Sequence, residues 1–581
     1  MATIQESKTV TLEQIQDFKG KYPKQLWYLF LSEMWERFAF YGMRGMLTIF
    51  MVEHLFENGK LMTEKNANLK YGAIQAFIYT MAFVGGLFAD KILGFRKSIF
   101  WGGILMIIGS FTLAFSPEHL YYIGISFTIV GTGFFKPNIS TMVGTLYKAD
   151  DPRRDAGFGL FYSGINIGAL LGGYLCIYTA NHYSWNAAFS LAGIGMVLGL
   201  GIFIFTKRTL GPIGLSPLIN KVSAGRNLLY DILFYAGSLL VIPFILLLVS
   251  NTDYTDMFMY IVGPLAFLYI IYETVQYKSI DSQKRYAILN AVLLPVLTVI
   301  TIVICLPAAN FTFCMNKIGL GNVAWLATYK HIDIITYSLL GVTIFYASWC
   351  VFKYFNSVQQ KIVAALVFII FSIFFWAFFE QAGGSLSLFA RYNLNHKVLG
   401  ITIDPNEINN SANSAFVILF SPLFGLLWLW MSKKKIEPNT LIKFGLGFLF
   451  VSLSFYVFYY TRFFDDGKGF TSLNVFTLAY LVVTIGELCL SPIGLSLMTK
   501  LAPQRLHGMM MGMWFLASAY GQYAAGILGA GMTNPNEHAT LSEKLISYTE
   551  GYKQLAIYAL IAGVVLIVIS PVIRKWMHDV H

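Results

Sequence analysis

Residues 32–45 read SEMWERFAFYGMRG and set Glu33, Glu36, Arg37 and Arg44 between the apolar runs WYLFL and MLTIFMV. A charge at the centre of a membrane helix costs about 2.5–3.5 kcal/mol, so four together need a purpose. At 100° per residue, Glu33, Glu36, Arg37, Phe40, Tyr41 and Arg44 fall within an arc of roughly 140°, leaving an apolar arc of Met34, Trp35, Phe38, Ala39 and Gly42. Such a stripe faces a bundle interior or water. It fits either a satisfied ion-pair network or a proton relay. The relay chemistry is simple: a carboxylate that holds an arginine when ionised and releases it when protonated is a two-state switch.

Partners for the stripe stand in other apolar runs. GTGFFKPNISTMVGTLY carries Lys136 beside Pro137, which interrupts helical hydrogen bonding, and FYSGINIGALLGGYL carries Asn166. FFWAFFEQAGGSLSLFA carries Glu380 and Gln381; TIGELCLSPIGLSLM carries Glu487 one turn before Ser491-Pro492. A carboxylate buried in an apolar helix stays charged only when a cation offsets its desolvation, and Lys136 and Arg44 can supply that cation. Acids on one side and bases on the other suit a zwitterion. The nine histidines, among them His54, His182, His331 and His396, fall in loops, helix ends or the tail, which leaves carboxylates as the carriers of a mobile proton.

These residues need a membrane to position them. The 581 residues are 56% hydrophobic and 12% charged, against about 25% charged in soluble domains. Mean hydropathy is +0.61. Apolar runs near 20 residues match helices crossing a core of about 30 Å, and the short alternating segments of a membrane β-barrel are absent. The polar start MATIQESKTVTLEQIQDFKG lacks the pattern of a removable signal peptide, so the first helix is expected to stay in the membrane. The net charge of +11 falls in short loops such as DKILGFRK, YKADDPRRD, TKRTLG, SKKK and IRKWMHDVH. These read as positive-inside topology signals, not as a nucleic-acid surface. Cys176, Cys305, Cys314, Cys350 and Cys489 lack metal-ligand spacing; Cys305 and Cys314, near an outer loop, are the one pair placed for a disulfide.

Helices are expected near 25–52, 71–91, 98–115, 119–146, 156–180 and 187–206, and again near 361–388, 413–432, 440–461, 474–499, 508–531 and 554–573. Basic loops follow the even-numbered helices of both sets, which places both termini in the cytoplasm. Two like-oriented sets of six are the hydropathy signature of a parallel-repeat transporter. The segment boundaries are thus 1–24 for a cytoplasmic start, 25–206 and 361–573 for the two six-helix bundles, 207–360 for an insertion, and 574–581 for a cytoplasmic tail. Runs at 228–250, 257–277, 285–308 and 333–353 give the insertion four crossings, two being the alternative. With few charges it reads as scaffold.

Together ExxERFxxYG, the KPN of the fourth helix, FYxxINxG and ELxxSPxGLS resemble the proton-dependent oligopeptide transporter family of the major facilitator superfamily. GGLFADKILGFRK, residues 85–97, is similar to that superfamily's loop signature. The resemblance covers both halves. It implies an all-α polytopic membrane protein of the major facilitator fold, with additional helices inserted between two six-helix bundles. It further implies proton-coupled symport of di- and tripeptides by alternating access in a bacterial inner membrane, by a monomer without cofactor or metal. By position, Glu33, Glu36, Arg37 and Lys136 would carry proton coupling, with Glu380 as the second-half protonation site that pairs with Arg44. Arg44 and Lys136 would hold the peptide carboxylate and Glu487 its amino group. Asn166 and Asn413 would bind the peptide backbone, and Tyr41, Tyr79 and Trp514 would line side-chain pockets. Glu380 and Ser491 complete the expected substrate-binding set. The chain departs from the family at Phe40, where tyrosine is usual, at Ser414, where proline follows the asparagine, and in lacking a second GGLFAD-like loop.

Other readings are a facilitator for another anion or zwitterion, a membrane-embedded enzyme and a channel. The intact EMWER stripe favours coupling over nitrate-type facilitation, and Glu487 favours an amine-bearing ligand. No HExxH, GxSxG or Walker loop is present, nor a selectivity loop.

Overall fold

The computed structural model describes residues 11–148, 151–219, 221–276, 345, 349, 351–353, 355–490, 494–503, 506–536, 538–578 and 580. A capped turn, α1 (Leu12–Gln16), precedes α2 (Lys24–His54), which carries the charged stripe. A short hairpin, β1 (Phe56–Glu57) and β2 (Lys60–Leu61), leads to α3 (Glu64–Phe88), whose first turn is capped by the Thr63 hydroxyl. Then come α4 (Phe95–Phe115), α5 (Pro117–Thr145), α6 (Arg154–His182) and α7 (Trp185–Thr206). Pro117 opens α5 at a position where a missing N–H costs nothing.

Within the insertion lie α8 (Ala224–Ser250) and α9 (Thr252–Gln276). The expected crossing at 285–308 falls outside the described residues, as do most of 333–353 and the pair Cys305 and Cys314. The second half comprises α10 (Ser357–Phe379), α11 (Ser385–Asn393), the hairpin β3 (Lys397–Val398) and β4 (Ile401–Thr402), α12 (Pro405–Lys433) and α13 (Thr440–Tyr460). It ends with α14 (Leu473–Leu490), α15 (Gly494–Leu501), α16 (His507–Gly531) and α17 (Leu541–Met577).

Ten helices among the described residues are long and apolar enough to cross a membrane. Helix α2 is not one of them, because its own charges interrupt every apolar window. Its stripe is instead covered by protein. Gly168 of α6 lies so close to α2 that an added Cβ would collide with the Met34 carbonyl oxygen.

One expectation from the sequence is corrected. The helix foreseen at 361–388 is two helices, α10 and α11, separated by residues 380–384. Side-chain bonds hold it: Gln381 turns its amide back onto the Ala377 carbonyl at 3.0 Å and across to the Ala525 carbonyl of another helix at 3.1 Å, while Ser385 Oγ donates to Gln381 Oε1 at 2.7 Å. Gly383 then sits against the Tyr71 ring, where a Cβ has no room. The helix foreseen at 474–499 corresponds to α14 and α15, and residues 491–493 between them lie outside the described residues.

The chain divides into two compact units: residues 1–258, 369–495 and 511–569 in one, and residues 259–368, 496–510 and 570–581 in the other. The first contains every residue of the site described below. Part of its core is an apolar cluster that includes Leu26, Leu29, Ile99, Phe135, Ile139, Met142, Phe161, Met196 and Phe203. In the second, the Phe352 and Trp576 rings pack at 5.5 Å and His578 Nε2 meets Gln360 Oε1 at 2.7 Å.

Candidate functional site

A cavity of about 290 Å³ opens between helices of both halves. Helix α2 contributes Glu33, Arg37, Tyr41 and Arg44, while α3, α5 and α6 add Tyr79, Lys136 and Asn166. From the second half come Trp376 of α10, Glu380 of the break, Asn409, Asn410 and Asn413 of α12, and Tyr480 and Glu487 of α14. Three acids thus face three bases across a space near the lower end of the range for small-ligand sites.

The stripe on α2 is an ion-pair network at one end. Glu33, Glu36 and Arg37 are at most 1% exposed. Arg37 Nη2 donates to Glu36 Oε1 at 2.8 Å, Arg37 Nε also pairs with Glu36, and Glu33 Oε1 stands 3.1 Å from Arg37 Nε. Glu36 does not line the cavity; it backs Arg37 from behind. Glu33 does line it, and its buried Oε2 has no hydrogen-bond partner among the described residues. Lys136 forms no salt bridge among the described residues. Its ammonium rests on the Tyr79 ring, 4.2 Å from the centroid, with Phe40 at 5.9 Å, a cation–π seat that leaves its charge open to the cavity.

At the other end of α2, Arg44 pairs with Glu380, and Arg44 Nε donates to Tyr71 Oη at 2.7 Å. The break after α10 brings Glu380 to this position. Thr48 of α2 donates to the Gly383 carbonyl of the same break.

Glu487 has a different kind of shell. Asn413 Nδ2 donates to Glu487 Oε2 at 2.9 Å and to Thr484 Oγ1 at 3.1 Å, and Tyr162 Oη donates to Glu487 Oε1 at 3.4 Å. No lysine or arginine among the described residues forms a salt bridge with it. Asn166, its amide donating to the Tyr162 carbonyl at 3.0 Å, lies 7% exposed at the cavity wall. Of the residues singled out from the sequence, Glu33, Arg37, Tyr41, Arg44, Tyr79, Lys136, Asn166, Glu380, Asn413 and Glu487 converge here. Trp514 is buried on α16 but is not among the lining side chains, and Ser491 lies outside the described residues. Tyr162, Asn409, Asn410 and Tyr480 line the cavity and were not foreseen. A signal for the asparagines existed: NEINNSAN places Asn406, Asn409, Asn410 and Asn413 at i, i+3, i+4 and i+7, one face of an otherwise apolar helix.

Solved structures place this architecture. A POT peptide transporter crystallised with sulfate superposes with a TM-score of 0.71 at 27% identity, over 98% of this chain and 99% of the other. A POT family transporter in complex with a thioalcohol-conjugated peptide superposes equally well, at 26% identity over 97% and 100% of the two chains. The fold is therefore that of the major facilitator superfamily, an all-α polytopic membrane protein with helices inserted between two bundles of six. The POT family profile matches residues 96–219 and 265–545. The peptide transporter YePEPT of Yersinia enterocolitica subsp. palearctica is 31% identical over 96% of each chain, and dipeptide and tripeptide permease B of Aeromonas hydrophila subsp. hydrophila is 26% identical over 96% of this chain and 94% of its own. The chain belongs to the POT family.

Proposed function

We propose that this protein is a secondary active transporter that carries di- and tripeptides into the cell together with protons, by alternating access, and performs no covalent chemistry. The observation that carries this reading is the asymmetry of the cavity: among the described residues, Lys136 is seated without a salt bridge on one wall, while Glu487 is held by neutral donors on another. A peptide carboxylate and amino group would satisfy both. In this reading Arg44 and Lys136 receive the carboxylate, Glu487 the amino group, Asn166 and Asn413 the backbone, and Tyr41 and Tyr79 line the side-chain space. The names of the similar proteins, peptide transporters and di- and tripeptide permeases, support the substrate class.

Proton coupling rests on Glu33, Glu36, Arg37 and the Glu380–Arg44 pair. Protonating Glu380 removes the charge that holds Arg44, frees the guanidinium for the peptide carboxylate and loosens the contact between the halves. Deprotonation restores it. The basic loops support an inner-membrane protein with both termini cytoplasmic. The deciding experiment is uptake of a labelled dipeptide into proteoliposomes with and without an inward proton gradient. Uptake that exceeds empty liposomes and collapses with the gradient is expected. Uptake indifferent to the gradient removes the coupling, and no response to peptides removes the substrate class.

A further inference from the structure

From Glu487 a series of hydrogen bonds, carried through the Tyr480 residue itself, leads to the backbone two residues beyond Glu380. Asn413 bridges Glu487 and Thr484, and Thr484 Oγ1 donates to the Tyr480 carbonyl at 2.7 Å, two turns up α14 from Glu487. Tyr480 Oη donates to Asn409 Oδ1 at 2.5 Å. Asn409 spends both amide hydrogens inward, on the Ala382 carbonyl at 2.8 Å and on Asn406 Oδ1 at 3.3 Å. Ala382 is in the break that presents Glu380 to Arg44, two residues from the carboxylate.

We infer that Asn409 and Tyr480 are positioning residues, and that the Tyr480–Asn409–Ala382 relay couples occupancy of the Glu487 site to the Glu380–Arg44 pair. This rests on the reading of Glu487 and Glu380 given above. The argument is one of satisfaction. The break leaves backbone carbonyls without helical donors in a buried place, and such groups must be paired by something else. Asn409 pairs the Ala382 carbonyl, two residues from Glu380, and Tyr480 fixes which way its amide points. With both amide hydrogens spent, Asn409 has no side-chain donor left for a peptide although it lines the cavity. A ligand amine that draws Glu487 and Asn413 toward itself alters the seat of α14 against α12. The next rigid contact along that path ends on the break. Glu380–Arg44 is the two-state element, and both sites bias it, which makes the coupling reciprocal.

The test uses the full chain in proteoliposomes, with Tyr480→Phe, which deletes one hydroxyl, beside Asn409→Ala. Gradient-driven uptake and counterflow of dialanine are measured in parallel. Both variants are expected to lose about tenfold in driven uptake while the concentration for half-maximal counterflow changes little. Asn409→Gln, which keeps the amide, is expected to recover part of the driven rate. A second readout needs no substrate: spin labels at Asn58 and Leu399, exposed on the β1–β2 and β3–β4 turns, report separation of this end of the first compact unit. Tyr480→Phe should shift that distance distribution toward longer separations. Unchanged distances, or driven uptake and counterflow falling in proportion, overturn the relay. A wild type that ignores dialanine while the label distances still respond to Tyr480→Phe overturns the peptide reading instead, and leaves the positioning role standing.

Discussion

Glu487 and Glu380 are carboxylates on the same cavity, and their neighbours set them apart. Glu380 is neutralised by Arg44, a protein cation, whereas among the described residues Glu487 has Asn413 and Tyr162 as its donors. A buried carboxylate without a cation is costly, so a ligand ammonium is its natural partner. Glu487→Gln should therefore lose both driven uptake and counterflow, its affinity falling about ten- to a hundredfold for one lost charge-assisted contact. Glu380→Gln should lose driven uptake and retain counterflow, which needs no net proton movement. Normal counterflow affinity in Glu487→Gln would contradict the assignment of the amine anchor. The types and spacing of these residues were legible in the sequence. Tyr480 was not, because a lone tyrosine in an apolar helix most often packs against its neighbours, and nothing in its own sequence points to Asn409.

At the scale of elements, α2 is held by its fit to α6. Gly168 is in van der Waals contact with the backbone at Met34, and any side chain there pushes α2 and its stripe outward. Gly168→Leu should destabilise the protein by about 1–3 kcal/mol or prevent its insertion, against little effect at Gly201, which has open space beside it. Thermal unfolding in detergent, followed by tryptophan fluorescence, measures the difference. The insertion yields a second expectation. If it crosses four times, cysteines at Thr252 and Asn322 are labelled from one side of the membrane and a cysteine at Ser282 from the other. Labelling of all three from the same side would refute four crossings. Hydropathy placed most of these helices because their periodicity and length are properties of contiguous residues. It missed the break at 380–384 because the residues that hold it, Ala525, Asn409 and Thr48, come from elsewhere in the chain.

For the molecule as a whole, the halves meet in more than the Glu380–Arg44 pair. Arg391 of α11 donates to Glu53 of α2 at 2.7 Å and to Asn181 of α6 at 3.3 Å. Lys544 of α17 reaches Glu64 of α3 at 2.5 Å, and Tyr548 donates to the same carboxylate. These contacts lie between residues at the same end of the first unit, so they act in parallel on its opening. Each partly exposed ion pair contributes about 0.2–1 kcal/mol, so replacing Arg391 and Lys544 together by glutamine should raise the open population by roughly two- to thirtyfold. Labelling rates of a cysteine at Thr48 check this: faster modification in the double variant is expected, and an unchanged rate would show that the two pairs do not hold this end shut.

By itself the sequence determined the solvent of this protein, the approximate course of its helices and the identity of its buried charges. Those are local properties: a run of about 20 apolar residues has one favourable environment, and a charge inside it stands out against the cost of burying it. Which charges meet was a matter for the tertiary structure. Arg44 and Glu380 are 336 residues apart, Lys136 pairs with a tyrosine face and not with the acids of α2, and Glu36 lies behind the cavity wall while Glu33 faces it. Residues on different helices become neighbours only through the depth and rotation at which those helices pack. Close contacts such as Gly168 against Met34, and a break such as residues 380–384, set both.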